Sequence, residues 1–350
     1  MGALRVGFIG CGRHATKMLY PSLHLAQMEL VAVCDLDEAK AQRNAHWFGA
    51  ERFYTDHRRM LDEKRLDAVL ICTGPASHAA LALDCIERGL PIFVEKPPAL
   101  NLDQVERLRE RSEALAVPVM VGTMKRHALI YRRMKEVIES SDFGPISAVQ
   151  AKMAVGWKNG NGFALLLDVG IHLIDLLRFL VGDVTEVVHR KYERNGTHIS
   201  YAILLTFASG AVGSLFVSDQ HQWMRANERV EITGDGQFVI ADNLVRLAHY
   251  HPNGEVVVWE PGQSIPNDEN LYYFISGYAG ELQAFAEAIR QGKPMHASLA
   301  DACAEMRVIK AIEPEEAYIK GAQDFAHWQS ENSWLQVKVG REENKQCHRS

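Results

Sequence analysis

The chain has 350 residues, of which 47% are hydrophobic and 23% charged, and its formal net charge is −6. This composition is typical of a globular protein with a sizeable core, and it excludes a disordered, collagen-like or low-complexity chain. A nucleic-acid binder needs a basic face, so the mild acidity predicts no nucleic-acid partner. The length is about enough for two domains.

The sequence contains no pattern typical of a membrane span or a signal peptide. Its most apolar stretch, residues 163–181, carries Asp168, His172, Asp175 and Arg178, whereas a bilayer span needs about 20 apolar residues. The apolar run near the N-terminus is too short for a signal peptide. None of the six cysteines forms a C-x-x-C pair. We therefore expect reduced thiols, no membrane partner and a cytoplasmic location.

The first half of the chain alternates short apolar runs with helical patterns. The predicted strands are residues 4–9, 30–34, 68–72, 91–94 and 117–121. The predicted helices are residues 13–25, 36–48, 77–88 and 101–116. Continuous apolar strands separated by helices indicate a parallel sheet that is covered on both faces. We predict a doubly wound α/β domain of the Rossmann type over residues 1–122.

The second half is richer in strand patterns joined by turn signals. The predicted strands are residues 146–155, 186–192, 199–207, 211–218, 229–232, 244–250 and 256–259. Helical patterns cover residues 165–180, 279–290 and 299–319. This order predicts an α+β domain with a large, mainly antiparallel open sheet over residues 123–335. Residues 336–350 are predicted to be a polar tail.

A glycine-rich turn follows the first predicted strand. Gly10, Gly12 and Ala15 form a G-x-G-x-x-A pattern before a helix, and Asp35 ends the second strand. The first glycine permits a tight turn and the second lets a pyrophosphate approach the backbone. An acidic residue at the spacing of Asp35 binds the ribose 2′-hydroxyl and repels a 2′-phosphate. NAD is therefore the preferred cofactor, and NADP remains possible because Arg13 can reach a phosphate.

Two later segments carry polar groups in apolar surroundings. Lys96 follows a predicted strand at the edge where a parallel sheet binds ligands. If residues 168–175 are helical, Asp168, His172 and Asp175 share one face. Such a buried polar stripe is explained by a metal site, by a structural hydrogen-bond network or by a general acid/base histidine. We prefer the acid/base interpretation and expect no metal, since no further ligand cluster completes a metal site.

These motifs together resemble the Gfo/Idh/MocA oxidoreductases. The resemblance covers residues 4–322 and rests on four landmarks in chain order. They are the glycine turn, the Thr73…His78 turn, Glu95-Lys96-Pro97, and Asp168-x-Gly170-x-His172-x-x-Asp175. The family turn commonly reads T-P-N, whereas this chain has Thr73-Gly74-Pro75-Ala76 and lacks the asparagine.

The resemblance implies a nicotinamide-dependent dehydrogenase that acts on a CH–OH group of a sugar, cyclitol or sugar derivative. It implies Lys96, His172 and Asp168 as catalytic residues, with Asp168 and His172 also binding substrate. The cofactor-binding residues that we expect are Gly10, Gly12, Arg13, His14, Ala15, Asp35, Thr73, Pro75, His78, Glu95 and Lys96. In this family the open C-terminal sheet often forms the oligomer interface, so a homodimer or homotetramer is expected.

Four further residues can line the substrate pocket. They are Lys125, Arg126, Trp157 and Lys158. Three cations there favour a carboxylated or phosphorylated sugar, unless most of them face solvent. Two other functions stay open: a redox-neutral, NAD-dependent enzyme that cleaves glycosides, and a non-catalytic sensor of a dinucleotide or sugar.

Overall fold

In the computed structural model, the described residues are 2–63, 65–156, 161–195, 198–221, 226–260 and 270–313. The first sheet is parallel, as predicted, and has six strands, one more than the five predicted. They are β1 (Leu4–Ile9), β2 (Met28–Cys34), β3 (Arg52–Tyr54), β4 (Ala68–Ile71), β5 (Ile92–Glu95) and β6 (Val119–Gly122). Their order, β3-β2-β1-β4-β5-β6, is that of a Rossmann fold. Strands β4, β5 and β6 are buried at every position, which explains their continuous apolar sequences.

Helices cover both faces of this sheet. They are α1 (Glu38–Phe48), α2 (His57–Glu63), α3 (Pro75–Ile86) and α4 (Leu102–Ala114). The segment after the glycine turn is helical but irregular, with a π-helical turn at Ala15–Leu19 and two 3₁₀ turns after it. The sequence analysis missed β3 because it has only three residues, two of them exposed, and it missed α2 because that helix is short and largely polar.

The second sheet is mainly antiparallel, as predicted, and has eight strands, one more than the seven predicted. They are β7 (Ala148–Ala154), β8 (Val184–Arg194), β9 (His198–Phe207), β10 (Val212–Ser218), β11 (Asn227–Thr233), β12 (Phe238–Asp242), β13 (Arg246–Tyr250) and β14 (Val256–Trp259). Their order is β14-β13-β12-β11-β7-β10-β9-β8, and β7 and β10 are parallel neighbours. Strand β12 was missed by the sequence analysis.

The helices of the second half pack against both sheets. They are α5 (Leu129–Ile138), α6 (Gly162–Leu165), α7 (Ile171–Val181), α8 (Leu271–Ser276), α9 (Tyr278–Gln291) and α10 (Leu299–Ile312). The carbonyl of Ala297 accepts a hydrogen bond from the Val121 N–H, which ties the segment before α10 to β6. Residues 314–319 of the last predicted helix lie outside the described residues. Among the described helices, none has the length and apolar character that a bilayer crossing requires.

Candidate active site

A cleft of about 1500 Å³ runs along the carboxyl edge of the first sheet and is lined from both halves of the chain. The glycine turn forms one wall. Gly10 has a φ of +108°, and a Cβ there would lie 2.0 Å from the carbonyl oxygen of Cys72. At Gly12 a Cβ would meet nothing within 4 Å. The first glycine is therefore required by the turn itself, whereas the second leaves open space where a pyrophosphate can approach the backbone.

Asp35 lies at the tip of β2, on the same side of the cleft as the glycine turn. Its carboxylate accepts hydrogen bonds from the N–H of Cys11, at 2.7 Å, and from the N–H of Asp37, at 2.9 Å. These two bonds fix the carboxylate beside the turn, where the adenosine ribose of a dinucleotide would lie. Arg13 is exposed at the rim of the cleft, and Pro75 begins α3 on its wall.

His78 supports the cleft wall through its ring nitrogens. The side chain is 1% exposed, and its Nδ1 donates to the carbonyl of Pro97 at 2.8 Å. The Nε2 atom then accepts a hydrogen bond from the N–H of Thr73, at 3.3 Å. Burial lowers the pKa of His78, which keeps the ring neutral for this arrangement. The histidine thus joins the Thr73 turn to the loop that follows β5, where Lys96-Pro97 is a cis peptide.

Lys96, Asp168 and His172 meet on the cleft opposite the glycine turn. The Lys96 Nζ donates to the backbone carbonyl of Asp168 at 3.0 Å and lies 3.4 Å from its Oδ1 atom. Burial and the nearby positive charge of Lys96 hold the pKa of His172 well below its usual range. His172 is therefore an uncharged imidazole at neutral pH and can accept a proton. The structure brings together the three residues expected to be catalytic.

The polar residues Asp168, His172 and Asp175 differ in what they contact. Residues Leu166–Gly170 form a π-helical turn directly before α7. Asp168 and His172 line the cleft, but Asp175 is 1% exposed and accepts a hydrogen bond from Arg126 Nε at 2.8 Å. Three residues in an α-helix rotate by about 300°, so Asp175 lies about 60° from His172 around the axis, still on a neighbouring position of the helix surface. Asp175 differs from His172 in its surroundings, because it is buried against Arg126 and does not line the cleft.

Arg126 does not line the cleft but connects buried segments of the protein. It bonds Asp175, lies 3.3 Å from Asp301, and donates to the carbonyl of His296 at 2.7 Å. Its side chain is 7% exposed. The ion pairs connect the turn after β6 to α7 and α10, and so hold the helix that carries His172 against the first sheet.

Lys125 is also buried, with 3% of its side chain exposed. It pairs with Glu228 at the start of β11, and the hydroxyl of Tyr131 donates to the same carboxylate. The expectation that Lys125 and Arg126 offer cations to an acidic substrate is therefore corrected, because carboxylates of the second half already pair both. Trp157 and Lys158 lie outside the described residues.

His14 was expected only as a cofactor contact, but the structure gives it a defined partner. Its Nε2 atom lies 3.2 Å from Oε1 of Glu95, whose Oε2 accepts from the N–H of Lys96 at 3.1 Å. The Sγ of Cys72 completes a group of three potential metal-ligand atoms within 4.8 Å of one another. A sequence separation of 81 residues between His14 and Glu95 leaves no local signal for this contact.

A Rossmann sheet with this glycine turn, and a Lys–Asp–His group on the same cleft, define a dinucleotide-dependent oxidoreductase. The model of the oxidoreductase family with an NAD-binding Rossmann fold, Gfo/Idh/MocA, matches residues 4–123. The model of the family's C-terminal α/β domain matches residues 135–313. The chain belongs to this family, and NAD is the cofactor of its Rossmann domain.

Curated relatives cover most of the chain at modest identity. The myo-inositol 2-dehydrogenase of Thermotoga maritima is 25% identical over 309 residues, which cover 83% of this chain and 90% of the relative. The inositol 2-dehydrogenase of Burkholderia multivorans is 28% identical over 337 residues, which cover 89% of this chain and 96% of the relative. The similarity to these two enzymes supports the assignment of this chain as a dehydrogenase.

Solved structures share the fold over nearly the whole chain. A dehydrogenase from Chromobacterium violaceum has a TM-score of 0.84 and 25% identity, and covers 94% of this chain and 99% of its own. An oxidoreductase from Agrobacterium radiobacter was solved with NAD⁺, L-tartaric acid and magnesium. It has a TM-score of 0.79 and 23% identity, and the match covers 91% of this chain and 97% of the oxidoreductase.

Proposed function

We propose that the protein is an NAD-dependent dehydrogenase that oxidises a secondary hydroxyl of an uncharged sugar or cyclitol. The observation that carries the proposal is the meeting of Lys96, Asp168 and His172 on the cleft that holds the glycine turn. One group is a cation, one an anion and one a neutral base. An alcohol oxidation needs a proton acceptor and a charge that stabilises the developing alkoxide, and this group supplies both.

Two features of the cleft fit a bound dinucleotide: the space at Gly12 and the position of the Asp35 carboxylate. The open space at Gly12 leaves room for a pyrophosphate, and the Asp35 carboxylate is fixed where it can accept from ribose hydroxyls. When bound, NAD supplies the hydride acceptor. The carboxylate of Asp35 also supports NAD over NADP, since it repels a 2′-phosphate.

The roles of the three residues follow from their charges. His172 accepts the proton of the substrate hydroxyl, because its ring is neutral. Lys96 places its positive charge at the oxygen that gains negative charge as the proton leaves. Asp168 accepts the lysine's hydrogen bonds before substrate binds and can exchange them for bonds to substrate hydroxyls. The deprotonation thus takes place between two groups from different halves of the chain.

An uncharged substrate is favoured by the pairing of Lys125 and Arg126. Both cations are buried against carboxylates, so neither is free to compensate a substrate carboxylate or phosphate. The two curated relatives described above act on inositols, which are uncharged polyols. Both observations favour a sugar or cyclitol without an ionised group.

The test is an absorbance assay of nicotinamide reduction with a substrate panel. NAD and NADP are supplied separately, each with cyclitols, aldoses, uronates and sugar phosphates, and the Lys96→Met/His172→Ala double variant is the control. We expect sustained NAD reduction with neutral polyols that the double variant lacks. Turnover of uronates but not neutral polyols contradicts the substrate class. Bound NAD without net reduction across the panel contradicts the dehydrogenase and favours the redox-neutral or sensor alternatives.

We also propose that the exposed face of the second sheet joins two copies of the chain in a homodimer or homotetramer. Val188, Leu204 and Phe216 lie on β8, β9 and β10 and are 48%, 60% and 36% exposed. Val188 and Leu204 are direct partners across the strand pair. An apolar patch of this kind marks an association surface. Light scattering should show a dimer or tetramer, and Leu204→Glu should shift the protein towards the monomer.

A further inference from the structure

His14 and Glu95 lie between the two ends of the cleft. Along the sheet edge, Asp35 follows β2, the glycine turn follows β1, and Lys96 follows β5, with β4 between β1 and β5. The His14 side chain extends from the glycine turn to Glu95, and so passes over the end of β4. A dinucleotide that reached from Asp35 to Lys96 would therefore pass His14 before its nicotinamide end came to the reacting groups.

Two neighbouring buried carboxyls differ in charge here. Burial acts against ionisation of Glu95, but His14 and Lys96 lower the pKa of Glu95 below its usual value. Glu281 on α9 is fully buried, and among the described residues neither of its carboxyl oxygens has a hydrogen-bond partner. Burial, together with the charge of Glu95, raises the pKa of Glu281 well above its usual value. Glu95 is the charged member of the pair and Glu281 the protonated one.

The remaining charges of this end of the cleft nearly cancel. Lys96 is paired with Asp168, Lys125 is paired with Glu228, and His172 is neutral. These groups sum to zero, which leaves the Glu95 carboxylate and the His14 ring beside it; with an uncharged His14 ring the local charge is about −1. The oxidised nicotinamide ring carries a positive charge and the reduced ring does not.

We propose that the Glu95 carboxylate, oriented by His14, makes the cleft bind oxidised NAD in preference to the reduced form. The proposal rests on the proposed function, because it takes the nicotinamide end to lie beside Lys96. Glu95 acts on the ring by its charge and is a specificity-determining residue for the redox state of the cofactor. Stronger binding of the oxidised form lets NAD⁺ compete with NADH for the cleft and lowers the reduction potential of the bound couple.

The test compares the dissociation constants of NAD⁺ and NADH by calorimetry at one pH and one ionic strength. We expect Glu95→Gln to raise the ratio of the NAD⁺ constant to the NADH constant by about tenfold, mainly by weakening NAD⁺. Glu281→Gln is the matched control, since it makes the same chemical change at an adjacent buried carboxyl that carries no charge. It should leave the ratio unchanged.

A second pair of variants tests the same charge at an exposed position. His14→Arg places a fixed positive charge beside Glu95 and should raise the ratio, whereas His14→Gln adds no charge and should not. His14 is 47% exposed at its side chain, so both variants are expected to fold even if Glu95→Gln does not.

The outcomes separate this inference from the proposed function. If the unmodified protein binds neither form, both proposals are wrong. If it binds both forms and the ratio stays constant in Glu95→Gln and His14→Arg, the inference alone is wrong. An equal change of the ratio in Glu95→Gln and Glu281→Gln also overturns it, because the effect would then not come from the ionised carboxyl.

Discussion

Lys96 and Lys125 follow neighbouring parallel strands, yet their surroundings differ. Lys96 is 14% exposed, lines the cleft and is paired with Asp168, whose side chain is 38% exposed. Lys125 is 3% exposed and its partner Glu228 is 4% exposed. The first pair can be exchanged for contacts with a substrate, whereas the second is fixed by burial. The position of a lysine after a parallel strand therefore predicts that it starts at the ligand edge of the sheet. Whether its charge is available to a substrate depends on whether the second sheet supplies a buried partner, as Glu228 does for Lys125.

The helix α7 shows the same division along a single element. His172 faces the cleft, and Asp175, three residues later, is buried against Arg126. One side chain serves the reaction and the other holds the helix in position. Variants at the two kinds of residue should therefore separate turnover from stability.

The largest effect is expected for His172→Ala. General-base catalysis contributes about 10²–10⁴-fold, so the turnover number should fall by about that factor while the dissociation constant for NAD stays nearly unchanged. The matched variant Asp175→Asn should lower the free energy of unfolding by about 3 kcal/mol, because it weakens a buried ion pair. Steady-state kinetics and urea unfolding measure the two effects. Full turnover in His172→Ala would show that another group takes the proton.

Lys96→Met and Lys125→Met compare the two lysines directly. Removing the charge of Lys96 should lower the turnover number by about 10²–10³-fold, as for loss of one donor to a developing oxyanion. Lys125→Met should instead lower the free energy of unfolding by about 3–5 kcal/mol, since it leaves Glu228 buried and without its cation.

A second change distinguishes a lost ion pair from a lost packing contact at Lys125. Adding Glu228→Gln to Lys125→Met should recover most of the lost stability, because the uncompensated charge is then removed and Tyr131 can still donate to the amide oxygen. If the double variant is no more stable than Lys125→Met, the pairing is not what Lys125 contributes.

The parallel sheet and the ends of the cleft could be predicted from sequence because their signals are local. The apolar strands are continuous, and Gly10, Gly12 and Asp35 have their positions fixed by a turn and the next strand end. The partners of Lys125 and Arg126 could not be predicted, since Glu228 is 103 residues and Asp175 49 residues distant. The π-helical turn at Leu166–Gly170, which carries Asp168, has no sequence signal either.

The smallest effect expected is a change in how stability depends on pH. His127 directly follows the buried residues Lys125 and Arg126 in the turn after β6, and burial lowers the pKa of His127 to about 3. An unfolded histidine has a pKa of about 6.5, so below that pH the unfolded chain binds a proton that the folded protein does not. This group therefore makes the protein less stable as the pH falls from about 6.5, by at most about 1.4 kcal/mol per pH unit. His127→Leu should reduce this slope between pH 6.5 and 5, as measured by urea unfolding, whereas His46→Leu at an exposed position on α1 should not. An unchanged slope in His127→Leu would mean that the ring is protonated in the folded protein, and that the turn after β6 is more accessible to water than its buried ion pairs indicate.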